Sequence, residues 1–158
     1  MNDNIIVVTH SILDQGSLPE QRRFSQGALP VVSDLNDLNI NLVSLPNLEK
    51  HYELFIEREL TKEDLASEEY AKYIKAHLVP IVHEVMARVK KGGTFLGVLS
   101  YGADDSQRVE PESSPIMLIL FRLFDRNCML TPYFEIPEHL DEEGHSLVIA
   151  DVVESLGI

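Results

Sequence analysis

Apolar positions along the chain fall into two kinds of run, short unbroken ones and longer ones spaced by three or four, and the two alternate. Ile5-Ile6-Val7-Val8 is an unbroken β-branched run of the kind buried on both faces of a parallel sheet. Asn41-Leu42-Val43-Ser44-Leu45 alternates into a second strand closed by Pro46. Phe95-Leu96-Gly97-Val98-Leu99 forms a third strand after the helix-stopping pair Gly92-Gly93, and residues 129–134 form a fourth. Helical patterns lie between them. Residues 28–38 read as a short helix that Pro30 obliges to start there or just before. Leu48, Tyr52, Phe55 and Ile56, with Leu60 just beyond, recur at helical spacing over residues 48–59. Thr61 and Ser67 are N-cap candidates, and a long helix runs on to Lys91. Its stripe is Tyr70, Tyr73, Ile74, His77, Leu78, Ile81, Val82, Val85 and Val89, and Pro80 should kink or divide it. Residues 115–124 form a very apolar helix, either core or an association face, and residues 147–156 a terminal one.

This alternation predicts a single-domain α/β fold, Rossmann-like, with a parallel sheet of about four strands and helices on both faces. In such sheets ligands bind beyond the carboxyl ends of the strands, where strand order reverses. Three polar segments meet that description: residues 9–17 within the irregular stretch 9–27, residues 46–51, and residues 100–105 within the stretch 100–114.

Composition narrows the partners. A chain of 158 residues buries roughly 70% of its unfolded surface, enough for one sizeable core. Twenty-six acidic against 13 basic side chains give a formal charge of −13, which opposes attraction to nucleic acid and to anionic membrane surfaces. Solubility is the plain reading of that charge, and a basic protein partner the sharper one. No apolar run approaches the ~18 residues of a membrane span, and Met1-Asn2-Asp3-Asn4 does not open a secretory leader, so a cytoplasmic location follows. The one cysteine, Cys128, cannot make an internal disulfide or a thiolate-rich metal site, and is expected to be a buried structural thiol.

The three segments hold the candidate chemistry. His10, Ser11 and Asp14 bring an imidazole, a hydroxyl and a carboxylate directly after strand one, where Asp14 could orient His10 or simply bond backbone amides. Asn47 is placed to cap a helix and Glu49 to stand in its first turn, which makes a structural reading and an anion-binding or acceptor-binding one both available. Ser100, Tyr101, Gly102, Asp104 and Asp105 follow the third strand. No Walker, dinucleotide, nucleophile-elbow or zinc pattern occurs, and His77 and His83 stand six apart rather than at metal-pair spacing.

In order and spacing these segments resemble the motifs of the 2-thiouracil desulfidase family and its relatives of unknown function. Thr9-His10-Ser11-Ile12-Leu13-Asp14 resembles its Ser-His-Cys motif, Leu45-Pro46-Asn47-Leu48-Glu49 its Leu-Pro-Cys-Pro-Glu, and Gly97-Val98 with Tyr101-Gly102-Ala103-Asp104-Asp105 its third motif. The likeness covers residues 4–135, leaving residues 138–158 as a C-terminal extension of the single domain. It places the family's cluster cysteines on Ser11, Asn47 and Asp104, so an iron-sulfur cluster is not expected, nor any other cofactor. What the resemblance implies is a cluster-free relative that binds a small molecule or a protein subunit, through His10, Ser11, Asp14, Asn47, Glu49, Ser100, Tyr101 and Asp104. A homo-oligomer is one arrangement open to it. The alternative is a hydrolase, metal-free or dependent on Mg²⁺, Mn²⁺ or Fe²⁺, with His10 or Glu49 as general base.

Overall fold

The computed structural model of the chain describes residues 3–15, 18, 27–101, 114–137 and 141–155. Four strands, β1 (Asn4–Val8), β2 (Ile40–Ser44), β3 (Thr94–Tyr101) and β4 (Tyr133–Ile136), form one sheet in the order β2-β1-β3-β4, and every pairing is parallel. The helices are α1 (His10–Leu13), α2 (Pro30–Asp37), α3 (Leu48–Ile56), α4 (Lys62–Leu65), α5 (Glu68–Lys90), α6 (Pro115–Arg126) and α7 (Glu142–Ser155).

Alternation along β1 builds two cores. Ile5 and Val7 pack with Val98 against α3, α5 and α6 on one face. Ile6 and Val8 pack with Leu99 and Tyr101 against α1, α2 and α7 on the other. The expected Rossmann-like three-layer arrangement is therefore present. No helix among the described residues is long and apolar enough to cross a membrane.

Local chemistry sets the helix ends. Asn47 and Ser67 accept backbone N–H groups from Lys50 and Tyr70 at the starts of α3 and α5, while Thr61 and Asp64 close a capping box on α4. α5 ends where Gly92, at φ +102°, donates to the Val89 carbonyl and Gly93 to that of Arg88, a Schellman closure. α6 ends identically, Cys128 donating to Asp125 and Met129 to Phe124, but the left-handed residue is Cys128 at φ +58°. Cys128 is thus exposed, contrary to the buried thiol expected. The closure needs a left-handed residue one place past the cap, and that position points outward.

Several expected boundaries move. Pro80 does not divide α5, which runs unbroken for 23 residues with Pro80 on its exposed side. His77 also lies exposed, its Nδ1 2.8 Å from the Tyr73 carbonyl. β3 continues two residues beyond the predicted strand, because Ser100 and Tyr101 pair with Glu135 and Ile136 of β4. β4 starts four residues later than predicted, since residues 129–132 are taken up by the turn after α6 and by Pro132, whose carbonyl accepts the Val98 N–H at 2.9 Å. α7 starts at residue 142 rather than 147, where the Asp141 carboxylate accepts the Gly144 N–H and Glu142 and Glu143 suit the positive end of the helix dipole.

One glycine in β3 is required by geometry. Gly97 has φ +128° at an irregularity where the β1 register steps from Phe95 to Gly97, and a Cβ there would run into the Pro132 carbonyl.

Candidate functional site

The order β2-β1-β3-β4 places the reversal of winding between β1 and β3. The chain leaves β1 into α1, on one face, and after β3 returns as α6 on the other, so the carboxyl ends of these neighbouring strands are where a parallel α/β sheet places its ligand crevice.

Buried polar side chains gather at this edge. Among the described residues six polar or charged residues are buried; five of them, Thr9, Ser11, Gln15, Ser100 and Ser114, belong to α1 and the residues that flank it, to the end of β3 or to the cap of α6. Burying a hydroxyl or amide costs a few kcal/mol unless it is hydrogen-bonded, and here bonds within α1 and α6 and between β3 and β4 offset that cost. The Thr9 and Ser11 hydroxyls lie 3.5 Å apart, and Gln15 Nε2 donates to the Ser11 carbonyl at 2.7 Å. Ser100 Oγ donates to Glu135 Oε1 at 3.3 Å, and Ser114 Oγ accepts the Met117 N–H as the cap of α6. Thr9 N–H extends the sheet by donating to Leu99, while Gln15 N–H donates to Gly27 and Leu29 N–H to Ile12. Those last two bonds tie together the two ends of the polar, irregular stretch between β1 and α2.

Nearer solvent stand the charged candidates. His10 is the first residue of α1 and half-buried; Asp14 is exposed at the end of α1, its N–H donating to the His10 carbonyl. Asn47 is occupied as the cap of α3, with Glu49 half-buried in the first turn. Behind that turn Tyr70, 1% exposed, meets Tyr52 edge-on at 4.9 Å. Burial, with Glu49 and Glu53 nearby, pushes its phenol well above the ordinary range, and its hydroxyl has no hydrogen-bond partner among the described residues.

The eight sequence-predicted residues thus separate into groups. Ser11, Ser100 and Tyr101 are buried, Tyr101 within the apolar core of the second face. His10, Asp14, Asn47 and Glu49 sit at the more open rim, and Asp104, with Asp105, lies outside the described residues. Gln15 and Glu135 were not singled out from sequence. A carboxylate inside Tyr133-Phe134-Glu135-Ile136 was the signal for Glu135, but the fourth strand was set too early for its pairing with Ser100 to be seen.

The residues do not fit an iron-sulfur cluster. Ser11 is a hydroxyl enclosed in α1 and Asn47 an amide engaged as a cap, whereas the single cysteine follows α6, at the amino-terminal edge of the sheet from which β4 starts. Among the described residues no three His, Cys, Asp or Glu side chains are grouped to hold a metal ion. Against protein-family models, curated proteins and solved structures, the chain has no match.

Proposed function

We propose that this chain is a small-molecule-binding protein whose ligand sits in the crevice between the carboxyl ends of β1 and β3, without iron-sulfur chemistry. The reading rests on one observation above others: five of the six buried polar residues among those described converge on this edge. Ser114 among them caps α6, but the collection of uncharged polar groups at the topological switch point is what supports a ligand site there. In this reading the buried hydroxyls and amide form a stiff polar floor. His10, Asp14 and Glu49 are the groups that meet the ligand, and their imidazole and carboxylates favour a small polar molecule rich in N–H and O–H donors.

The experiment is a melting-temperature screen of the purified chain against neutral and cationic polar metabolites, followed by titration of the best ligand against His10→Ala and Glu49→Gln. A ligand at 100 times its Kd adds about 2.7 kcal/mol to stability, an easily measured shift. Affinity is expected to fall at least tenfold in each variant. Unchanged affinity in both would remove this edge as the site, and a brown chromophore in anaerobically purified protein would overturn the cluster-free reading.

A further inference from the structure

The chain's acidic balance reverses between two helices. Between the first half of α5 and the second half of α6 lies an open cavity of about 200 Å³. Its floor is apolar, made by Ala71, Ile119 and Leu123. Four exposed cations rim it, Lys72 and Lys75 from α5 and Arg122 and Arg126 from α6, with Glu68 the single acid. Glu68 lies 3.9 Å from Lys72; Lys75, Arg122 and Arg126 have no ion-pair partner among the described residues. Like charges three and four residues apart on one helix face destabilise it by a few tenths of a kcal/mol per pair. In a chain with twice as many acids as bases, such a cluster is matched to an apolar group flanked by carboxylates. The volume is below the roughly 300–1,000 Å³ of small-molecule pockets and suits a side chain of a protein partner instead.

That complement exists on α7. Its inner side, with Ile149 and Val152, packs on the protein's own core. Its outer side carries Glu143, Leu147, Asp151 and Glu154, all exposed and spaced by four, four and three. Leu147 is 64% exposed and has a carboxylate one turn away on each side. We propose that the outer side of α7 docks into the α5–α6 groove of a second copy of this chain. Leu147 lies on Ile119 and Leu123, and Glu143 and Asp151 face the rim cations. The groove and α7 belong to layers on opposite faces of the sheet. The contact is therefore head-to-tail and repeats from copy to copy rather than closing as a two-fold dimer. Repulsion between copies of charge −13 is screened beyond about 8 Å at 0.15 M salt, whereas the apolar and paired-charge contact acts at touching distance.

Sedimentation velocity of the whole chain in 0.15 M NaCl, over a hundredfold range of concentration, tests this independently of the carboxyl-edge site. The native chain is expected to show a sedimentation coefficient that rises with concentration past that of a dimer. K75E/R122E and E143K/D151K change exposed positions only, checked by circular dichroism, and each alone is expected to associate at least tenfold more weakly. Mixed in equal amounts they are expected to regain association. The acidified groove then receives the basic helix, and the unaltered groove of one variant receives the unaltered α7 of the other. A native chain that stays monomeric throughout, variants that associate like the native chain, or a mixture that does not recover would each overturn the proposal.

Discussion

Cys128 separates sequence from structure at the scale of one residue. An apolar-looking thiol between a helix and a strand reads as buried, yet Cys128 is exposed at φ +58° because the closure of α6 demands a left-handed residue there. Glycine meets that demand in α5 through Gly92, whereas in α6 a residue with a Cβ bears the cost, about 1–2 kcal/mol for an L-residue in this region. Part of the gain from glycine is returned as extra freedom in the unfolded chain. Cys128→Gly is therefore expected to stabilise the protein by about 0.5–1 kcal/mol, read as a higher urea midpoint at unchanged slope under reducing conditions. A lower midpoint would mean that the thiol makes a packing contribution which its exposure does not show. Helix ends of this kind are only partly legible: Gly92-Gly93 announces one openly, and Asn127-Cys128 does not.

Among the elements, α7 shows what the sequence leaves open. Residues 138–158 lie beyond the stretch that carries the family likeness, and within them α7 packs its Ile149 and Val152 into the core of the second face, beside α2 and β4. Among the described residues the one buried polar residue away from the carboxyl edge, His145, lies in this helix and is 2% exposed. Burial lowers its pKa from the ordinary 6.5, with Asp141 pulling weakly the other way. Because the folded value lies below the unfolded one, the associated stability is fully present above about pH 6.5. It is lost as pH falls through that value, when the unfolded histidine takes up a proton that the folded one resists. Stability measured by urea titration is expected to decline from pH 7.5 to 5.5, and the decline is expected to be shallower in His145→Gln. Parallel pH profiles for the two proteins would show that His145 does not control this window. Asp3 acts elsewhere on the pH scale. Its bidentate bond from Arg88, 2.7 Å to each oxygen, holds its pKa at about 2, so its contribution disappears only as pH falls from 3.8 toward that value.

For the whole molecule, charge is the quantity that the fold must tolerate. With 26 acids and 13 bases the folded chain gathers a net −13 into a small volume, and self-repulsion there exceeds that in the expanded unfolded chain. Few described ion pairs offset it; the clearest are Arg58 with Asp64 and Arg88 with Asp3, both partly open to solvent. Raising NaCl from 10 to 150 mM shortens the screening length from about 30 to 8 Å, and the melting temperature is expected to rise by a few degrees. A fall would indicate that attractive pairs dominate over net repulsion. Both salts and protein concentrations belong in that measurement, since the proposed stacking of copies also stabilises the folded state by mass action.

Elements whose signal is local are legible from the amino acids alone. Ile5-Ile6-Val7-Val8 as a doubly buried strand, the stripe from Tyr70 to Val85, the caps Asn47, Thr61 and Ser67, and the Gly92-Gly93 stop all follow from spacing and chain chemistry within a few residues. That alternation was sufficient for the α/β class and for locating polar segments after β1, β2 and β3. Tertiary structure alone decided what depends on neighbours distant in the chain. Pairing with β4 drew Ser100 and Tyr101 out of a presumed loop and into the sheet, and set Glu135 against Ser100. Packing on α2 and β4 made α7 part of the core. The α5–α6 groove took shape only when residues about fifty positions apart were brought side by side, because each helix alone carries just one pair of its four cations.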